Sequence, residues 1–128
     1  MPSRLMPFLG ALAGTAVLLL SGCWGGEATG VTCPPAGTTL TYQNFGNSFM
    51  GTYCLRCHNS ALTGKARNDA PGDLNFNTVE EVRAEAKDID KQAGASATIT
   101  NEEMPPDGEK PSVEDRRKLS EWLACGAP

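Results

Sequence analysis

The chain has 128 residues, with 11 lysines and arginines against 15 aspartates and glutamates, a formal net charge of −4. That length suits one folded domain, and the acidic balance argues against nucleic-acid binding while permitting docking to a basic protein partner. Five cysteines and a single histidine concentrate the reactive chemistry in very few positions, with no Ser/His/Asp set for acid–base work.

Arg4 followed by an apolar run from Phe8 to Leu20, broken only by small residues and Thr15, reads as an export signal. The run is shorter than the about 20 apolar residues that a spanning helix requires. It ends in Leu20-Ser21-Gly22-Cys23, which resembles the lipobox of bacterial lipoproteins. The resemblance implies that residues 1–22 are removed, that Cys23 carries lipid, and that the mature protein sits at the cell envelope facing the periplasm. The alternative is ordinary cleavage near Gly22 with Cys23 left as a spare thiol. Trp24 stands where an inner-membrane retention signal in some bacteria has aspartate, which tilts the expectation toward the outer membrane. Cleavage would take Arg4 alone from the 11 basic residues, so a chain of 106 residues would carry 10 basic against 15 acidic groups.

From Trp24 to about Thr39 the sequence is rich in Gly, Thr and Pro with almost no apolar periodicity, so residues 23–39 read as a flexible tether and 40–128 as the folded domain. About 16 such residues reach roughly 20 to 25 Å. A first helix is predicted over Tyr42 to Arg56, with Tyr42, Phe45, Phe49 and Tyr53 on one face. Gly46 inside it costs about 1 kcal/mol relative to alanine, which points to another element crossing closely there.

This helix delivers Cys54-Leu55-Arg56-Cys57-His58, the C-x-x-C-H pattern of covalent haem attachment. Two thiols one turn apart can each add to a porphyrin vinyl group, and the next residue places a ring nitrogen beneath the iron. Cys54 and Cys57 are therefore the expected thioether anchors of one haem c, and His58 the proximal ligand. The pattern also admits a thioredoxin-like dithiol or half of a zinc site. A zinc site would need Cys33 or Cys125 as its fourth ligand, and adjacent Cys57 and His58 suit one tetrahedral ion poorly.

Residues 59–77 read as a loop wrapping one haem edge, with Leu62, Leu74 and Phe76 as its apolar members. The imidazole needs an acceptor for its other N–H, and the Pro71 carbonyl is the expected one. Lys65, Arg67 and Arg56 read as scattered surface charge, available in principle to haem propionates. Thr78-Val79-Glu80-Glu81 is a capping box that opens a second helix running to Ala93 and stopped by Gly94, its apolar face Val79, Val82, Ala86, Ile89 and Ala93. The acidic pairs Glu80-Glu81 and Glu102-Glu103 read as solvated charges rather than catalytic groups. The last helix starts at Pro111-Ser112 and runs to about Ala124, with Val113, Leu119, Trp122 and Leu123 as its apolar face and Gly126 as its stop.

With no second histidine, the sixth iron ligand must be another residue, and methionine leads. Met1 and Met6 lie in the export signal, and Met50 rides on the attachment helix, which cannot reach the opposite face of the ring. Met104 remains, and Pro105 and Pro106 stiffen the backbone behind it. An open site or a Lys or Asn ligand are the other options. A His/Met pair raises the reduction potential relative to harder ligands. Setting aside Cys23, Cys54 and Cys57 leaves Cys33 and Cys125 as a natural disulfide pair in an oxidising compartment, or else as two unpaired thiols.

Over about residues 40–127 the chain resembles the monohaem class I cytochromes c of bacteria. The features that carry the likeness are the C-x-x-C-H after an N-terminal helix, the Pro-containing loop beyond it, Met104-Pro105 before the final helix, and the ending Leu119 to Pro128. Gly46 stands eight residues before Cys54, where the family places a glycine against an aromatic of the last helix, here Trp122. The family often has an aromatic four residues before the first haem cysteine; this chain has Met50 there and Phe49 one place earlier. The resemblance implies an all-α fold, class I cytochrome c-like, with three to four helices around one covalently bound haem and the N- and C-terminal helices crossing. It further implies a non-enzymatic, outer-sphere one-electron carrier that meets redox protein partners and takes no small-molecule substrate. A haem enzyme or gas-sensing module with an open sixth position is the competing expectation.

Overall fold

A computed structural model describes residues 25–128; the export signal and Cys23 lie outside the described residues. Among the described residues there are helices and no strand, only an isolated bridge between Ala95 and Thr100. The fold is therefore all-α, as expected, and no helix among these residues is long and apolar enough to cross a membrane.

Helix α1 is assembled from a π-helical turn Tyr42–Gly46, an α-helical turn Asn47–Phe49 and a second π-helical turn Met50–Cys54. Its start is set chemically: the Thr41 hydroxyl accepts from Asn44 N–H and the Asn44 side chain accepts from Thr41 N–H. Phe45, Phe49 and Tyr53 stack along one side, with ring centroids 5.4 and 5.0 Å apart. A short 3-10 turn, Gly64–Arg67, lies in the following loop and ends at Asn68 in the left-handed region, φ 48°.

The second predicted helix is two. Thr78 and Glu81 form the capping box of α2, Val79–Ala84, but the backbone leaves helical geometry at Glu85 before α3, Ala86–Ala93. The break separates two anchorages. On α2, Arg83 donates to the carbonyls of Gly126 and Ala127; on α3, Asp90 accepts the Ser120 hydroxyl at 2.6 Å.

Helix α4, Val113–Ala124, begins where expected, with Ser112 accepting from Asp115 N–H at 3.1 Å. Leu119, Trp122 and Leu123 are buried, whereas Val113 is exposed and does not belong to the core face. Trp122 meets α1 at Gly46, where a Cβ would overlap the indole Cζ2 and Cη2. The close crossing inferred from Gly46 is thus present. The core gathers Phe49, Met50, Phe76, Val82, Ile89, Leu119, Trp122 and Leu123.

The expected tether is mostly exposed but is pinned to the domain at several points. Thr29 is buried and bonds through its N–H and hydroxyl to the Asp90 carboxylate at 3.0 and 2.9 Å. Glu27 N–H donates to Asn101 Oδ1 at 3.0 Å, and Thr38 donates to Glu121 at 2.6 Å. Cys33 and Cys125 form a disulfide across a sequence separation of 92. Small polar residues that carry no apolar pattern still order here, because side chains of α3, α4 and the loop between them supply their hydrogen bonds.

Candidate functional site

After α1 the chain turns tightly, with Cys57 N–H and His58 N–H both donating to the Cys54 carbonyl, at 3.1 and 2.9 Å. The turn brings Cys54, Cys57 and His58 to the lining of a mainly apolar cavity of about 530 Å³. That volume lies within the range of about 300 to 1,000 Å³ typical of small-molecule and cofactor sites. Phe49 from α1, Leu74 and Phe76 from the loop, Ile89 and Ala93 from α3, and Met104 line the same space. The site residues expected from the sequence are therefore brought together, Met104 included.

The His58 ring is fixed on two sides. Its Nδ1 lies 3.1 Å from the Leu74 carbonyl, and Phe76 packs beside it with ring centroids 4.7 Å apart. The expected acceptor, Pro71, is not the partner: its carbonyl takes Arg67 Nη2 instead. Arg67 organises the whole loop, so the loop folds back to present Leu74 rather than Pro71 to the imidazole. With Nδ1–H committed to a carbonyl, Nε2 keeps its lone pair for a metal. Burial lowers the His58 pKa below the usual histidine range, an effect the Leu74 hydrogen bond partly opposes, so the ring is neutral near pH 7.

The two thiols are not joined to each other. Burial pushes the Cys54 thiol up to about 12. This is the reverse of the lowered pKa that activates a dithiol oxidoreductase cysteine. The zinc alternative loses its fourth ligand, since Cys33 and Cys125 are bonded to one another. Among the described residues no three His, Cys, Asp or Glu side chains converge as a metal-binding group. The donor set at the cavity is instead two separate thiols, one oriented imidazole and one thioether, which suits a porphyrin held by its edge with ligands from His58 and Met104.

Two arginines that the sequence reading did not place in the interior shape this site. Arg67, read as surface charge, is 5 % exposed and donates to the carbonyls of Asn59, Ala70, Pro71 and Leu74. Arg116, 1 % exposed on α4, places Nη1 within 2.9, 2.7 and 3.0 Å of the carbonyls of Ala93, Asn101 and Met104. Met104 N–H in turn donates to the Gln92 carbonyl at 2.9 Å. Arg56 serves neither role but spans to the Met104 loop, donating to the Asp107 carbonyl at 2.8 Å. The sequence signal for Arg116 was its place among α4 residues at core spacing, three before Leu119 and six before Trp122.

The chain matches no protein-family model, no curated protein and no solved structure.

Proposed function

We propose that this protein is a lipid-anchored monohaem c-type cytochrome of the bacterial cell envelope, passing single electrons between redox protein partners. One observation carries the reading: Cys54, Cys57, His58 and Met104, the residues expected from the C-x-x-C-H and Met-Pro motifs, line one apolar cavity although His58 and Met104 are 46 positions apart in the chain. A bound haem supplies a one-electron ferrous/ferric couple. Cys54 and Cys57 would hold it by thioethers, and His58 Nε2 and the Met104 sulfur would be its iron ligands. Phe49, Phe76 and Ile89 would keep water from the porphyrin, and the Leu74 carbonyl holds the imidazole in one tautomer. With His58 and Met104 both serving as iron ligands, the haem would have no place for a substrate. The lipid anchor at Cys23 and the outer-membrane preference rest on the sequence alone.

A second reading, a haem enzyme or gas-sensing module with an open sixth position, draws on the exposure of Met104, 36 %, high for a large apolar residue. Full-length protein exported through a haem-attaching periplasm separates the two. Intact mass should show one covalent haem that chelators do not remove, and the oxidised protein should be low-spin with a methionine-to-iron charge-transfer band that Met104→Ala abolishes. A colourless product sinks both readings; a high-spin form that binds carbon monoxide sinks the carrier.

A further inference from the structure

A guanidinium has five N–H donors, and Arg67 spends all five inside its own loop. Nε donates to Ala70, Nη1 to the Asn59 carbonyl and Asn75 Oδ1, and Nη2 to the Pro71 and Leu74 carbonyls. Every acceptor is a neutral dipole, and the ion pairs of the described residues do not include Arg67. A full positive charge is thus buried without a counter-ion. It is also not free to meet a ligand, since no donor is left over.

The position of that charge is specific. The Leu74 carbonyl receives Arg67 Nη2 at 3.0 Å and faces His58 Nδ1 at 3.1 Å. A carbonyl oxygen has two lone pairs and can serve both, but the cation draws on the same electron density and leaves a weaker acceptor for the imidazole N–H. The ring then has less imidazolate character and donates less strongly through Nε2. The charge also acts directly, through a buried path where screening by water and salt is poor. Both effects oppose extra positive charge on whatever His58 ligates.

On the reading that His58 ligates haem iron, we propose that Arg67 is a positioning residue that poises the reduction potential, its buried charge relayed through the Leu74 carbonyl to favour the ferrous state. A scaffold alone would need only neutral donors at this point; a cation adds a bias that neutral donors lack.

The test is spectroelectrochemical titration of the exported, haem-bearing full chain, with thermal denaturation alongside. Arg67→Gln should shift the ferrous/ferric equilibrium about tenfold toward ferric, or about 59 mV downward for a one-electron couple. Arg67→Lys keeps the charge and should shift it by less than about threefold, even though it loses the planar fork and melts earlier. No shift, an upward shift, or equal shifts in the two variants overturn the proposal. If either variant fails to fold, Asn75→Asp, which sets a carboxylate against Arg67 Nη1, should lower the potential more than Asn77→Asp, a carboxylate in the same loop that does not touch Arg67. Equal effects there overturn it too. A wild-type chain that carries no haem refutes the underlying reading instead, a distinct result.

Discussion

Arg116 and Met104 are joined by a hydrogen bond of 3.0 Å from a buried guanidinium on α4 to the backbone carbonyl of the residue that presents the thioether. The same nitrogen holds the carbonyls of Ala93 and Asn101, so one side chain ties the end of α3, the loop after it and the Met104 segment to the last helix. Its Nε and Nη2 have no hydrogen-bond partner among the described residues.

Removing this side chain should therefore cost more than a surface arginine would. Arg116→Ala strips a donor from three carbonyls, and each unsatisfied buried group costs about 1 to 3 kcal/mol. Relief of the unpartnered Nε and Nη2 offsets part of this. The expected net loss is about 3 kcal/mol in urea denaturation, and on the proposed haem ligation the methionine charge-transfer band should weaken as the Met104 segment loosens. Unchanged stability and spectrum would show that the contacts are incidental.

Gly46 and Gly51 make a matched pair on α1. At Gly46 a Cβ overlaps Trp122, whereas at Gly51 it meets nothing within 4 Å among the described residues. Alanine at either position gains about 1 kcal/mol of helix propensity, but overpacking costs about 1 to 3 kcal/mol. Gly51→Ala should stabilise by about 0.5 to 1 kcal/mol and Gly46→Ala should destabilise, the two melting temperatures moving in opposite directions. A Trp122→Phe background should lessen the Gly46→Ala penalty.

The disulfide between Cys33 and Cys125 closes a loop with a sequence separation of 92. On the chain-entropy account a loop of that size stabilises by about 4 to 5 kcal/mol. The double variant Cys33→Ala/Cys125→Ala should lose about that amount in denaturant titration, while the absorption spectrum of the folded protein stays unchanged because neither sulfur lines the cavity.

Asp90 binds Thr29 through two donors and Ser120 through a third. Asp90→Ala should destabilise by about 2 to 3 kcal/mol. Amide exchange should quicken selectively over residues 27–31, and a uniform change along the chain would contradict the assignment of this carboxylate as the local clamp.

Much of the helical frame was legible in the sequence because the determinants are local. The Thr78/Glu81 capping box and the Ser112 cap satisfy end groups within one turn, and the 3.6-residue recurrence of apolar side chains marks the faces of α1, α3 and α4. Gly46 was informative for a different reason: a costly residue in a helix is kept where another element needs the space. The pairing of Cys33 with Cys125 followed from counting thiols. Val113 and the straight helix over 78–93 misled, since periodicity reports which residues are apolar and not where the fold bends or ends.

What composition and spacing determined on their own was the set of chemical groups: two thiols and an imidazole in one turn, a distant methionine stiffened by prolines, and three helical segments to carry them. Only the tertiary structure decided which carbonyl faces His58, that residues 27–38 are pinned to the domain by hydrogen bonds and a disulfide, and that Arg67 and Arg116 lie inside. Those outcomes depend on long-range hydrogen bonds, and a buried cation is indistinguishable from an exposed one until the carbonyls that solvate it have been brought around it by the fold.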